Sequence, residues 1–454
     1  MLAASLLLGA VGTGASAAVN RPAPAAPCTV AGRSARCALL EVPEDRAAPQ
    51  GRTLPIRVVV LPATDAAERL DDPLVVLEGG PGASVIAALP MHAATFARLQ
   101  RRRDLLFVEQ RGTGESGALD CGLEAMALQS ERAAAECRER LAGSHDLRFY
   151  GTHHAVLDLA DAFEALGYKR VNVFGVSYGT RTALELVRRR PERVRTVALL
   201  GTYPPGRNGV LDAPRILDRT IALLVEACAA DASCHQAYPR LAESIESLDR
   251  RLGTGELDAS RLEVASALRL MLFYPMGVSQ APRVLTSAAA GDLAPLRAIS
   301  AGIGGAFAGI TGGAFLSLLC SEDVARLDRS QLERASRGTL LGSAWGDQLI
   351  GTCGPWPSAG VPGDFHAPLE TAVPILSLTG ELDPSMPPSW GAELAAALPG
   401  ALHATIPEAP HGLLGMRGVA CVVGMIESFV ESGTVRGLDV SCLDEIRRPP
   451  FSAP

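Results

Sequence analysis

Residues 171 to 190 read VNVFGVSYGTRTALELVRRR, in which VNVF has the pattern of a buried strand and TRTALELVRRR that of a helix. Between them Gly175-Val176-Ser177-Tyr178-Gly179 fits G-x-S-x-G, a turn whose glycines let strand and helix approach closely while the serine is held out at the sheet's edge in a strained conformation. A serine that merely caps a glycine-bounded helix is the plainer alternative. The rest of the chain decides against it.

Outward from this turn, apolar runs alternate with helix-like segments, which predicts parallel strands covered on both faces by crossover helices. Strands are expected around Ile56 to Leu61, Leu74 to Leu77, Leu105 to Val108, Val171 to Phe174, Val194 to Leu200, Ile375 to Leu378 and Ala404 to Ile406. The segment THHAVLDLADAFEALG before Val171 has apolar residues at helical spacing and completes a βαβ unit. The expected fold class is α/β, an α/β-hydrolase fold with a mostly parallel sheet and an inserted, mainly helical lid. The strand pattern stops near Tyr203 and resumes at Pro374, so the expected division is 1–17 signal peptide, 18–202 first part of the core, 203–366 lid and 367–454 C-terminal part of the core. Within the lid, Ala301 to Gly313 reads as too glycine-rich for a stable helix or packed strand.

A serine hydroxyl needs a base, and the base needs an orienting acid. In the α/β-hydrolase order these follow as Asp or Glu and then His. Asp383 lies in Gly380-Glu381-Leu382-Asp383-Pro384 after the strand-like PILSLT, and His411 in EAPHGLL after ATIP. Both belong at the C-terminal strand ends, where Ser177 emerges. Glu381 and His403 are rivals on spacing alone, and the other histidines are read as surface or core. The oxyanion requires N–H donors, expected from Tyr178, next to the nucleophile, and from Gly80 in the loop Glu78-Gly79-Gly80-Pro81-Gly82. A G-x-G-x-x-G match at Gly112 to Gly117 lacks the following helix and the acidic residue at a second strand end that a dinucleotide site needs.

The 454 residues are 48% hydrophobic and 20% charged, which excludes disorder over most of the length. A net charge of −7 without a dense basic run argues against nucleic acid as a partner. Met1 to Ala17 is an apolar run ending in Ala15-Ser16-Ala17, as a signal peptide does, though without the basic residues that usually open one. That opening is expected of a chain whose first residue lies downstream of the true start, and a short uncleaved membrane anchor is the alternative reading. Arg21 to Pro27 reads as a spacer, and no later stretch is apolar over the length of a membrane span. The ten cysteines fall into the neighbouring pairs Cys28/Cys37, Cys121/Cys137, Cys228/Cys234, Cys320/Cys353 and Cys421/Cys442, and they lack metal-ligand spacing. Five local disulfides in a secreted or cell-envelope protein are expected.

Taken together, these motifs resemble the proline-iminopeptidase-like branch of α/β-hydrolases, especially the secreted tripeptidyl-aminopeptidase-like group. The resemblance is carried by Glu78-Gly79-Gly80-Pro81-Gly82, by Glu109-Gln110-Arg111-Gly112-Thr113-Gly114-Glu115-Ser116, by Gly175 to Thr180, by SLTGELDPSMPP and by APHG. Cys320-Ser321-Glu322-Asp323 and Cys353-Gly354-Pro355-Trp356-Pro357 also look like that group's lid and its exit. It implies a serine peptidase of aminopeptidase type, acting on peptides with a free N-terminus through Ser177, His411 and Asp383, with no metal or organic cofactor. It further implies lid residues that bind the α-amino group, for which Glu322 is the candidate, because a carboxylate facing an ammonium forms a charge-assisted hydrogen bond. Glu78 departs from the histidine common in the iminopeptidase loop, which removes the basis for expecting a preference for N-terminal proline. An esterase acting on small acyl esters and a catalytically silent envelope-binding module are the other readings of the same residues.

Overall fold

The computed structural model describes residues 25–122, 128–304 and 309–453, without the side chains of 303 and 304; the expected signal peptide therefore lies outside the described residues. Nine strands form one sheet in the order β1-β2-β3-β5-β4-β6-β7-β8-β9. They are β1 (Ala26–Val30), β2 (Arg33–Pro43), β3 (Thr53–Leu61), β4 (Leu70–Leu77), β5 (Arg103–Val108), β6 (Val171–Val176), β7 (Val194–Leu200), β8 (Ile375–Gly380) and β9 (Ala401–Ile406). From β5 to β9 every neighbouring pair is parallel, whereas β1, β2 and β3 join as antiparallel neighbours. This is the α/β-hydrolase fold, a mostly parallel sheet with helices on both sides.

Each apolar run read as a strand lies within one. Their residues are buried on both faces because crossover helices cover the sheet, and the two resulting cores hold Val75, Val173 and Val197 on one side and Val76, Phe174 and Ala198 on the other. The β1–β2 hairpin was not expected. Its polar, alternating sequence belongs to an edge with one face in solvent, and Ala26 and Pro27, read as spacer, already pair with Cys37 and Arg36.

Between β7 and β8 the described residues hold helices and no named strand, from Gly209–Ala230 to Ala344–Cys353. They enclose their own apolar core around Leu217, Leu268 and Leu285. The glycine-rich stretch corrects one expectation at its two ends, where the helices Ala294–Gly304 and Gly312–Glu322 reach into it; residues 305–308 lie outside the described residues. Gly313 is there for contact: a Cβ on it would fall 2.5 Å from the Leu119 carbonyl oxygen. Five disulfides join the five neighbouring pairs, with Cα–Cα separations of 5.8, 5.2, 5.1, 5.3 and 5.8 Å along the chain. All lie in the range a disulfide bridges. No helix among the described residues is long and apolar enough to cross a membrane.

Candidate active site

Ser177 closes β6 and caps helix Tyr178–Arg189 with φ 56° and ψ −127°, a positive φ that few side-chain-bearing residues adopt. The flanking glycines are required by contact. A Cβ on Gly179 would come 2.2 Å from the Leu77 carbonyl oxygen, and one on Gly175 would come 2.8 Å from that of Gly179. The turn is locked to the next strand, since Ser177 N–H donates to Leu200 O at 2.8 Å and the Thr180 hydroxyl donates to Ser177 O at 2.6 Å.

Asp383 follows β8 and is fully buried. One carboxylate oxygen accepts the N–H groups of Ser385 and Met386, both at 2.8 Å, and the other lies 2.6 Å from His411 Nδ1. Two backbone donors satisfy the carboxylate and aim its remaining oxygen at the imidazole. His411 follows β9, packs its ring edgewise on Phe273 at 4.9 Å, and is held by the bond from Gly412 N–H to Phe273 O at 2.7 Å. Its Cε1 lies 3.1 Å from where a Cβ on Gly201 would stand, and Gly201 directly follows Leu200, the residue that anchors Ser177. The ends of β6, β7, β8 and β9, adjacent in the sheet, thus bring Ser177, Gly201, Asp383 and His411 to one rim. Among the described residues no hydrogen bond joins Ser177 Oγ to His411; the ring is fixed from its Nδ1 side.

The rivals are placed elsewhere. His403 lies within β9 and not before it, with Nδ1 2.9 Å from Ser377 Oγ. Glu381 accepts the Glu408 N–H at 2.9 Å.

Gly79 packs directly on Ser177: a Cβ on it would fall 2.7 Å from Ser177 Cβ and 3.1 Å from Oγ. Gly80 has φ 112°, open to glycine alone. The Gly79 N–H is taken by the Glu78 carboxylate at 3.0 Å, and Glu78 is fixed from its other oxygen by His92 Nε2 at 2.9 Å. No hydrogen bond among the described residues uses the N–H of Gly80. The Tyr178 N–H lies in the first turn of its helix, where no intrahelical acceptor exists. The helical region holds this loop from above through the bond from Thr311 N–H to Gly82 O at 2.9 Å.

Glu322 is where the structure departs most from expectation. It is sealed beneath Tyr178, with one oxygen accepting the Thr152 N–H at 2.8 Å and the other the Tyr178 hydroxyl at 2.9 Å and Arg181 at 3.4 Å. Arg181 also pairs with both oxygens of Asp323, at 3.0 and 3.1 Å, and stacks on Tyr203 at 3.7 Å. Burial pushes the Glu322 carboxyl up, the Arg181 charge opposing it. Burial also raises the Tyr178 phenol, and the Glu322 charge adds to the rise. Buried and facing Arg181 besides two neutral donors, Glu322 is closed off from solvent and already has a cationic partner. It holds Tyr178, the residue that follows Ser177.

Sequence reasoning missed the arginines that brace the Asp383 loop. Arg269 donates to Ser385 Oγ at 2.8 Å between Phe273 and Trp345, and Arg219 donates to Glu381 O at 3.0 Å. Burial draws the Arg269 guanidinium down to about 10, the Asp383 charge opposing it. Both arginines come from helices distant in sequence, so no local motif announces them. His92 had no signal either.

Residues 338–442 match a family described as TAP-like protein. Over 463 residues the chain is 24% identical to serine protease Hip1 of Mycobacterium tuberculosis (strain ATCC 25618 / H37Rv), covering 90% of this chain and 87% of that protein. It is 22% identical over 459 residues to tripeptidyl aminopeptidase of Streptomyces lividans, covering 90% of this chain and 83% of the relative. Among solved structures, proline iminopeptidase from Mycobacterium smegmatis aligns over 87% of this chain and 98% of its own, with 16% identity and a TM-score of 0.46.

Proposed function

We propose, for a chain whose fold is that of α/β-hydrolases and whose residues 338–442 are TAP-like, that it is a serine peptidase of aminopeptidase type with Ser177, His411 and Asp383 as its triad. The observation that carries this reading is the convergence at one rim: a serine in a strained elbow, and an imidazole bound at 2.6 Å to a carboxylate that two backbone N–H groups hold in place. Relatives named serine protease and tripeptidyl aminopeptidase support it.

The chemistry follows from the parts. Asp383 holds Nδ1–H, which leaves Nε2 as the base; Ser177 turns onto it, loses its proton and attacks the scissile carbonyl. Active-site hydrogen bonds commonly tighten only when substrate is bound, so the open serine is compatible with this step. The N–H groups of Gly80 and Tyr178 receive the oxyanion, and His411 passes the proton to the leaving amine. Water then releases the acyl group, a short peptide or amino acid from the substrate's N-terminus. Residues 203–366 act as the lid over this rim, as the Thr311 contact to the oxyanion loop supports. Five disulfides support secretion or residence in the cell envelope.

Ser177→Ala keeps the fold and abolishes both turnover of peptide amides and labelling by a fluorophosphonate. Retained labelling in that variant would refute the assignment of the nucleophile.

A further inference from the structure

Glu78 has no arginine partner among the described residues, in contrast with several other carboxylates of the chain. Asp104, Asp158, Glu185 and Asp323 each lie within salt-bridge distance of an arginine. Among the described residues the one ion-pairing partner of Glu78 is His92, which is buried against Phe96 and Phe174. The Glu78 side chain nevertheless keeps 15% of its surface accessible. An anion held in place, reachable from outside and lacking a permanent counter-charge is a site prepared for a cation.

Its position indicates which cation. The next residue, Gly79, packs on Ser177, so the carboxylate lies within about 9 Å of the nucleophile's hydroxyl by way of the bond to Gly79 N–H. Tyr274 stands within electrostatic reach of Glu78: its phenol is raised by burial and further by the Glu78 charge, and its ring packs against Gly412, the neighbour of His411. Glu78 therefore opens the oxyanion loop within electrostatic reach of a residue that packs on the histidine loop. The amine nitrogen of an acyl group one or two residues long falls in that range, since each extended residue spans about 3.3–3.6 Å.

We propose that Glu78 binds the protonated α-amino group of the substrate, the role that the resemblance implied for Glu322. The inference rests on the peptidase reading above and names the residue that makes it an exopeptidase. A carboxylate offers about four acceptor positions, of which Gly79 N–H and His92 take two. The others remain for an ammonium, and His92 positions the acceptor.

The test compares a free-amine aminoacyl amide with its N-formyl counterpart, on the wild type and on Glu78→Gln, which keeps an acceptor for Gly79. The ratio of their kcat/KM values falls about 10- to 100-fold in E78Q, mostly through KM, as expected for loss of one charge-assisted hydrogen bond. In the wild type KM for the free amine rises above about pH 8, where α-amino groups lose their proton, and E78Q flattens that rise. The fluorophosphonate labelling rate reports whether E78Q retains a folded elbow, and Glu78→Asp serves as the second variant if it does not. An unchanged ratio, or equal losses on both substrates, overturns the role of Glu78 while leaving the peptidase reading intact. A wild type that hydrolyses blocked and free substrates alike refutes the exopeptidase reading and this inference with it.

Discussion

Glu78 and Glu322 lie on opposite sides of the turn that presents Ser177, and they differ in who faces them. Glu322 is closed in by Thr152, Tyr178 and Arg181, and it spends its charge within the protein. Glu78 is tied at two points, faces no arginine among the described residues and keeps an open side. Their chemistry is the same. A carboxylate is structural or available according to the donors that reach it, and the fold supplies those donors.

The comparison can be sharpened at the reacting end first. Asp383→Asn preserves the shape of the loop but presents the wrong hydrogen-bonding group to His411, so kcat should fall by about 10⁴-fold with little change in Tm. A loss under tenfold would mean that the 2.6 Å contact to His411 Nδ1 is not part of the chemistry. Next comes Glu322→Ala, which leaves Arg181 and the Tyr178 hydroxyl facing a cavity. The expected cost is about 3–5 kcal/mol in denaturant unfolding, because one member of a buried ion pair is removed. A stability loss confined to Glu322, with E78Q near wild type, is what separates the sealed acid from the open one.

Glu322 is also tied to the disulfide two residues before it, Cys320–Cys353. Replacing both cysteines by serine should cost about 3–4 kcal/mol by the loop-entropy estimate, and more kcat than the loss of Cys28–Cys37, which lies on the β1–β2 hairpin away from the rim. Equal kcat in the two variants would show that the bridge near Glu322 does not transmit to the site.

The smallest effect concerns acid stability beside Thr152, which holds both Glu322 and Tyr178. His153 and His154 sit in the first turn of helix Thr152–Ala165 with ring centroids 3.8 Å apart. Burial first and nearby positive charges second pull them down to about 4 and about 2. Both therefore stay neutral in the folded chain at pH values where the unfolded chain binds protons. Their linkage leaves stability intact above the unfolded value near 6.5 and erodes it as the pH falls toward about 4. The raised Glu322 carboxyl acts in the opposite direction, so the readout is a difference between proteins. His154→Phe should lose about 1–2 kcal/mol less than the wild type between pH 6.5 and 5; parallel pH profiles would contradict this.

The parallel strands were legible because burial on both faces leaves an uninterrupted apolar run, and the elbow because close approach of strand and helix admits glycine at only two places. Asp383 and His411 could be assigned to strand ends by chain order, since each follows its own strand. The β1–β2 hairpin escaped notice because an edge with one face in solvent has no such run. The burial of Glu322 escaped notice for a different reason: a motif names a residue but not its partners, and Thr152 and Arg181 come from other elements of the chain.

What the sequence determined alone was local: periodicity, the glycines around Ser177, and the neighbouring cysteines whose short loops pair within reach. Only the tertiary structure decided which carboxylate is buried against an arginine and which is left open near Ser177. Charge compensation acts through space between segments that the chain order keeps far apart.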